Sequence, residues 1–295
     1  LLKDKGCADG TVGIVGMSDA SLAYQHFMEL KEGLPDATLR DATDLFENAR
    51  HFNSEEELDN FRATSQIFRN IYAEIEPKIR PGMTEIELAA MCHHISREGG
   101  LRDPMILISS APLDYGALSF GTTKTIGKDD VVTIWIESAG PSGFWLEYRR
   151  CYSFGKPGPE YQRYWEIQKE GLAAGLAAMK PGVAAREFVS SVQDALKEHG
   201  YHLGYHDPAD TCHVYSLHGI KTDAIQGVWV PGNDRVMIEN EVVNIHPAVH
   251  IDDRGFIGDE IKFHWLGVTD NAIVTPSGGQ LMTHDPDLPH GFIEL

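Results

Sequence analysis

The chain lacks the features that mark membrane proteins and nucleic-acid-binding proteins. Its apolar runs, such as residues 134–136, are far shorter than the roughly 20 apolar residues of a membrane-spanning helix. Basic side chains are also scarce, with 25 against 44 acidic ones and a formal charge of −19. Because an acidic surface repels phosphate backbones and anionic lipids, we expect neither nucleic acid nor membrane as a partner. A small-molecule substrate is the expected ligand.

Cysteine is scarce as well. The four cysteines, Cys7, Cys92, Cys151 and Cys212, form no CxxC pair. Their spacing excludes a cysteine-rich zinc knuckle and predicts no disulfide framework. Four reduced thiols are typical of a cytoplasmic protein, and the first residues show no charged-then-apolar signal pattern. We therefore expect a cytoplasmic location.

Residues 1–45 have the pattern of an α/β fragment. A short apolar strand at residues 10–16 is interrupted by Gly10, Gly13 and Gly16. This glycine spacing is not a dinucleotide-binding fingerprint, because we predict no βαβ unit with a suitably placed acidic residue after it. The glycines are interpreted as turn residues.

The following region carries clear helix signals. Capping boxes at Ser54–Glu57 and at Thr84–Glu87 each precede apolar residues at helical spacing. Further helices are predicted at residues 160–179 and 184–198. The predicted strands cover residues 105–109, 131–137, 144–154, 242–249, 256–265 and 271–275.

One turn motif occurs twice. Arg80-Pro81-Gly82 and Lys180-Pro181-Gly182 each enter a helix that ends at a glycine, and β-structure follows in both cases. Two α-then-β halves of about a hundred residues predict an α+β domain with pseudo-twofold duplication.

Two carboxylates occupy strands that are otherwise apolar. Glu137 ends one predicted strand, and Glu147 shares a face of the next with Arg149, because side chains alternate along a strand. A buried carboxylate needs a cation, a metal ion or a proton. The alternative is an ordinary ion pair with Arg149 or Arg150 at a sheet surface.

Histidines cluster in the second half of the chain. His213 and His218 lie close together in sequence, as do His246 and His250. Histidine serves as acid, base or metal ligand, and carboxylate–imidazole sets bind divalent metals. The four histidines and the two glutamates together predict a polar site within the sheet.

The order of these motifs resembles the creatinase/aminopeptidase P family. The resemblance covers essentially the whole chain, and its motifs are specific as an ordered set. They occupy residues 34–45, 50–57, 80–85, 131–137, 147–155, 218–220, 231–234 and 242–247. It implies the pita-bread fold at residues 51–295, preceded by residues 1–50 as the remainder of a creatinase-type N-terminal domain. It also implies a hydrolase and a homodimer.

The residues at the family's metal-ligand positions differ from the family pattern. Peptidases of this family hold two metals with two Asp, one His and two Glu. The resemblance places Glu137 and Glu147 at the Asp positions, His218 at the His position (His213 being the less favoured alternative) and His246 at the first Glu position. The last position falls at Thr269, or on Asp259 or Glu260 in another layout. These changes argue against an ordinary two-metal peptidase.

The leading hypothesis is a creatinase-like enzyme that cleaves a C–N or related bond of a small polar substrate without a cofactor. His218 and His246 are the candidate acid and base, and Glu137 and Glu147 orient them or bind a cationic substrate group. Candidate substrate contacts are Arg149, Tyr115, His213 and His250.

Two alternatives stay open. In the first, Glu137, Glu147, His218 and His246 hold one divalent metal (Zn, Fe or Mn) in a hydrolase or a lyase. In the second, the domain is a non-catalytic peptide-binding module.

Overall fold

The computed structural model describes residues 2–17, 22–111, 120–199, 236–245, 248–249, 266–267, 270–282 and 292–295. Contacts between Cα atoms divide the chain into two compact units, Leu1–Phe52 and Asn53–Leu295. The assignment of residues 1–50 to a creatinase-type N-terminal domain stays a prediction. Within the described residues, no helix combines the length and the apolar character needed to cross a membrane.

The first unit is a small α/β element. Strand β1 (Thr11–Ile14) pairs in parallel with β2 (Thr38–Asp41), helix α1 (Tyr24–Gly33) connects them, and α2 (Thr43–His51) follows. These elements form a βαβ unit that begins at the glycine-rich strand itself, so the expectation was wrong about the βαβ arrangement, while the absence of a suitably placed acidic residue stays a prediction. The short β2 has no buried residue, so the sequence gives no alternation of apolar and polar side chains to reveal it.

The second unit opens with two capped helices. Helix α3 (Glu55–Ile75) begins after Ser54, and α4 (Glu85–Glu98) begins after Thr84. Each capping hydroxyl accepts from the backbone N–H three residues on at 3.3 Å, and each returning glutamate accepts from the capping residue's N–H at 2.8 Å. Both predicted capping boxes are confirmed.

A four-stranded sheet follows these helices, with strand order β11-β5-β4-β3. Strands β3 (Arg102–Ala111), β4 (Val131–Ala139) and β5 (Trp145–Ser153) are antiparallel, and β11 (Phe292–Glu294) runs parallel to β5. Apolar side chains at even-numbered positions of β3 to β5, such as Ile108, Ile134 and Leu146, join the apolar core formed with α3 and α4. The odd-numbered side chains, including those of Glu137 and Glu147, point to the opposite face.

The second half repeats the helix pair and then a smaller sheet. Helices α5 (Pro159–Ala178) and α6 (Ala185–Lys197) match their predicted ranges closely. The antiparallel sheet β10-β9-β6 consists of β6 (Val242–Ile245), β9 (Asp270–Thr275) and β10 (Gly278–Leu281). A separate pair joins β7 (Ala248–Val249) and β8 (Leu266–Gly267). The strand predicted at residues 256–265 lies outside the described residues.

The two helix-entry turns have the same backbone structure. The Gly82 N–H donates to the carbonyl of Ile126 at 2.9 Å, and the Gly182 N–H donates to that of Met237 at 2.9 Å. Their φ angles are 90° and 88°, a region that glycine enters at little cost. Each turn thus docks on the segment that leads into a strand of its own half's sheet, β4 in the first half and β6 in the second. The predicted pseudo-twofold duplication is confirmed.

Glu85 at the start of α4 supports a testable prediction about stability. This carboxylate is 4% exposed, and it accepts from the N–H and hydroxyl of Ser110 at 2.9 and 2.7 Å and from those of Thr122 at 3.1 and 2.6 Å. Glu85→Ala leaves these donors without their acceptor. We expect a loss of about 2–4 kcal/mol in the free energy of unfolding, measured by urea denaturation.

The matched control for Glu85 is Glu98→Ala, at the exposed end of the same helix, where the carboxylate lies 3.3 Å from His94. We expect a change of about 0.5 kcal/mol or less for this variant. Equal losses for the two variants would show that the hydrogen bonds of Glu85 with Ser110 and Thr122 stabilise the fold no more than the exposed Glu98 does.

Candidate active site

The two strand glutamates face each other across a strand pair. Glu137 on β4 lies directly opposite Glu147 on β5 in the antiparallel register. Glu137 is 5% exposed and Glu147 is 0% exposed. Because directly opposed residues have Cβ atoms about 4.5–5.5 Å apart, the two carboxyl groups belong to one site.

Burial controls the protonation of this carboxyl pair. Loss of solvation raises the pKa of Glu137 to about 8, and the neighbouring Glu147 adds to the rise. Burial also raises the pKa of Glu147 well above its ordinary value, although the Arg149 guanidinium opposes part of that rise. The pair therefore retains a proton at neutral pH, as close buried carboxyl groups generally do.

The adjacent arginines of β5 serve opposite faces of the sheet. Arg149 lies directly opposite Trp135, on the face of the carboxyl pair, with its guanidinium carbon 5.7 Å from the tryptophan ring centroid. Arg150 lies on the helix-covered face, where its Nη2 donates to the hydroxyl of Tyr148 at 2.6 Å. Of the two, Arg149 is the one placed to act in the site.

An asparagine pair connects the second half's sheet to Glu147. Asn244 on β6 and Asn271 on β9 are cross-strand partners, and the Asn244 amide donates to the Asn271 side-chain oxygen at 2.9 Å. The Asn271 amide also donates to the backbone carbonyl of Glu147 at 2.6 Å. Sequence reasoning missed both asparagines, and their one signal was an uncharged amide inside each apolar strand.

The remaining predicted site residues lie outside the described part of the chain. They are Tyr115, His213, His218, His246 and His250, and the same holds for Thr269, Asp259 and Glu260. Their roles stay predictions. In the described ranges, no group of three or more His, Cys, Asp or Glu side chains is arranged to hold a metal ion.

Comparison with known protein families identifies the family of this chain. The model of metallopeptidase family M24 matches residues 59–276, which is most of the chain. The chain belongs to metallopeptidase family M24. This confirms the resemblance to creatinase- and aminopeptidase-P-like proteins.

Individual M24 proteins are similar over much of the chain. The Probable dipeptidase PepE of Mycobacterium tuberculosis is 24% identical over 248 residues, covering 83% of this chain and 62% of the relative. Creatinase of Bacillus sp. is 23% identical over 209 residues, covering 68% of this chain and 49% of the relative. The chain thus spans less than two thirds of the length of either relative.

A solved M24 structure confirms the fold. The X-Pro aminopeptidase of Thermotoga maritima superposes with a TM-score of 0.77 at 20% identity, covering 100% of this chain and 77% of the other. The predicted pita-bread α+β fold is therefore confirmed.

Metallopeptidases bind metal ions, so a chain of this family that holds a metal pair must offer suitable ligands at the site. Glu137 and Glu147 are suitable oxygen donors, but Arg149 presents a guanidinium on the same strand face. A divalent ion bound by these carboxyl groups and a guanidinium on the same buried strand face would repel each other. These residues do not fit a two-metal centre.

Proposed function

We propose that the protein is a hydrolase that cleaves a C–N bond in a small polar substrate, with the Glu137–Glu147 pair in place of the family's two-metal centre. The observation that carries this proposal is the direct opposition of two buried carboxyl groups on β4 and β5. Membership of an M24 family whose members include a dipeptidase and a creatinase by name supports the reaction class.

A carboxyl pair that retains one proton has the groups that such a hydrolysis requires. Water must lose a proton as its oxygen bonds to the substrate carbon, and the leaving nitrogen must gain a proton as the C–N bond breaks. An ionised carboxylate accepts the first proton and a protonated carboxyl donates the second. Between the opposed Glu137 and Glu147, one carboxyl group takes the role of base and the other that of acid.

Residues predicted from the sequence have further roles in the proposed reaction. His218 and His246 are proposed as further proton-transfer groups. Tyr115, His213 and His250 are proposed, with Arg149, as substrate contacts. Neutral imidazoles exchange protons near pH 7, so they can return the carboxyl pair to its starting protonation state after each turnover.

A second candidate is a one-metal hydrolase or lyase. The observation that favours it is the same opposed carboxyl pair, which could chelate one divalent ion together with His218 and His246 in an M24 metallopeptidase. Zinc, iron or manganese would then supply Lewis-acid chemistry at the substrate.

A substrate screen with chelated protein separates the candidates. The panel contains Xaa-Pro and other dipeptides, small amides and guanidino compounds, assayed before and after treatment with EDTA. We expect turnover of at least one compound to survive chelation without change in kcat. Loss of turnover that is restored by one metal equivalent supports the one-metal enzyme instead, and dependence on two equivalents contradicts both candidates.

A further inference from the structure

The arrangement around Arg149 points to a specific electrostatic role. We propose that Arg149 is the resident counter-cation of the carboxyl pair, that its guanidinium takes the place of a divalent ion, and that its neutralisation opens a metal-binding site. Metal affinity is measured without turnover, so this role of Arg149 is separate from the proposed reaction.

The strand register places Arg149 next to both carboxyl positions. It follows Glu147 by two residues on β5 and therefore shares its face, and its cross-strand partner Trp135 precedes Glu137 by two residues on β4. Arg149 is thus a lengthwise neighbour of Glu147 and a diagonal neighbour of Glu137. Diagonal neighbours lie about 7–8 Å apart, within reach of a long side chain.

Trp135 holds the guanidinium in this position. The guanidinium carbon is 5.7 Å from the ring centroid, and the two residues are 6% and 9% exposed. A planar guanidinium stacks well on an indole, and a buried cation is stable only near compensating negative charge. The carboxyl pair on the same strand face is placed to provide that charge.

The same positive charge excludes a second cation. A divalent ion between Glu137 and Glu147 would have to share a buried site with the guanidinium, where repulsion is poorly screened by solvent. Without the charge of Arg149, the opposed carboxylates are two hard oxygen donors, which is a suitable start for a Mn²⁺ site. Arg149 therefore supplies the positive charge of this site and keeps a divalent ion out of it.

The test is a calorimetric titration of chelator-treated protein with MnCl₂. We expect Arg149→Met to bind Mn²⁺ at least about 10-fold more tightly than the wild type, because the repulsive charge is removed while the side-chain stem is kept. Arg149→Lys, which keeps the charge, is the matched control and should bind no more tightly than the wild type. Adding Glu147→Gln to Arg149→Met should abolish the gain.

Each result of this titration either supports or overturns the proposed role of Arg149. A folded Arg149→Met variant without gain, or a gain that survives Glu147→Gln, overturns the proposal. If Arg149→Met does not fold, Arg149→Gln takes its place. If only Arg149→Lys folds, refolding of the neutral variants in MnCl₂ supports the proposal when it succeeds and contradicts it when it fails. Lost turnover in any of these variants bears on the proposed function alone.

Discussion

Glu147→Gln is expected to lower kcat/KM by roughly 10²–10⁴-fold while the protein keeps its fold. The amide has nearly the shape of the carboxyl group but cannot exchange a proton, and positioned acids and bases contribute about that factor. Glu147 is fully buried and opposite Glu137, so no water-exposed carboxylate can replace it from the same position. The measurement is steady-state kinetics on the substrate found in the screen, with circular dichroism to verify the fold.

The control for this variant is Glu98→Gln at the exposed end of α4, which should retain the wild-type rate. A Glu147→Gln variant that keeps more than about a tenth of the wild-type kcat/KM removes the carboxyl pair from the mechanism, because a proton-transferring group cannot be lost at so small a cost.

The second prediction with a large effect is that the free energy of unfolding falls as the pH rises from about 4.5 to about 8. The pKa of Glu137 is raised from 4.5 to about 8 by burial and by Glu147, so over this interval the folded protein holds a proton that the unfolded chain has released. The contribution is fully present below pH 4.5 and is lost as the pH rises through 8. One such proton changes the free energy of unfolding by at most about 1.4 kcal/mol per pH unit.

Glu137→Gln isolates this contribution from the other titrating groups. Glutamine mimics the protonated acid at every pH, so the variant should lose less stability than the wild type between pH 5 and pH 8. Urea denaturation at pH 5, 6.5 and 8 measures both slopes, with Glu98→Gln as the control that keeps the wild-type slope. Parallel curves for Glu137→Gln and the wild type would rule out a buried proton at Glu137.

The features that the sequence predicted well are local. The capping residues Ser54 and Thr84 act within one helical turn, and Gly82 and Gly182 adopt a conformation that only glycine enters easily. Alternation along β5 also placed Glu147 and Arg149 on one face. Each of these signals depends on residues within a few positions of one another.

The features that required the structure depend on register and on distant contacts. Alternation does not show which residue of β4 lies opposite Glu147, and a one-residue slip would turn Glu137 to the other face. The hydrogen bond from Asn271 to the Glu147 carbonyl joins residues 124 positions apart. No local pattern encodes such a contact, which is why the asparagine pair was missed.

The most direct test of the central claim is anomalous scattering from wild-type crystals soaked in MnCl₂. We predict no manganese within ligand distance of Glu137 and Glu147, with the Arg149 guanidinium beside the carboxyl pair. A single manganese bound by both carboxylates would favour the one-metal enzyme. Two manganese ions about 3.5–4 Å apart, bridged by these side chains, would contradict the account.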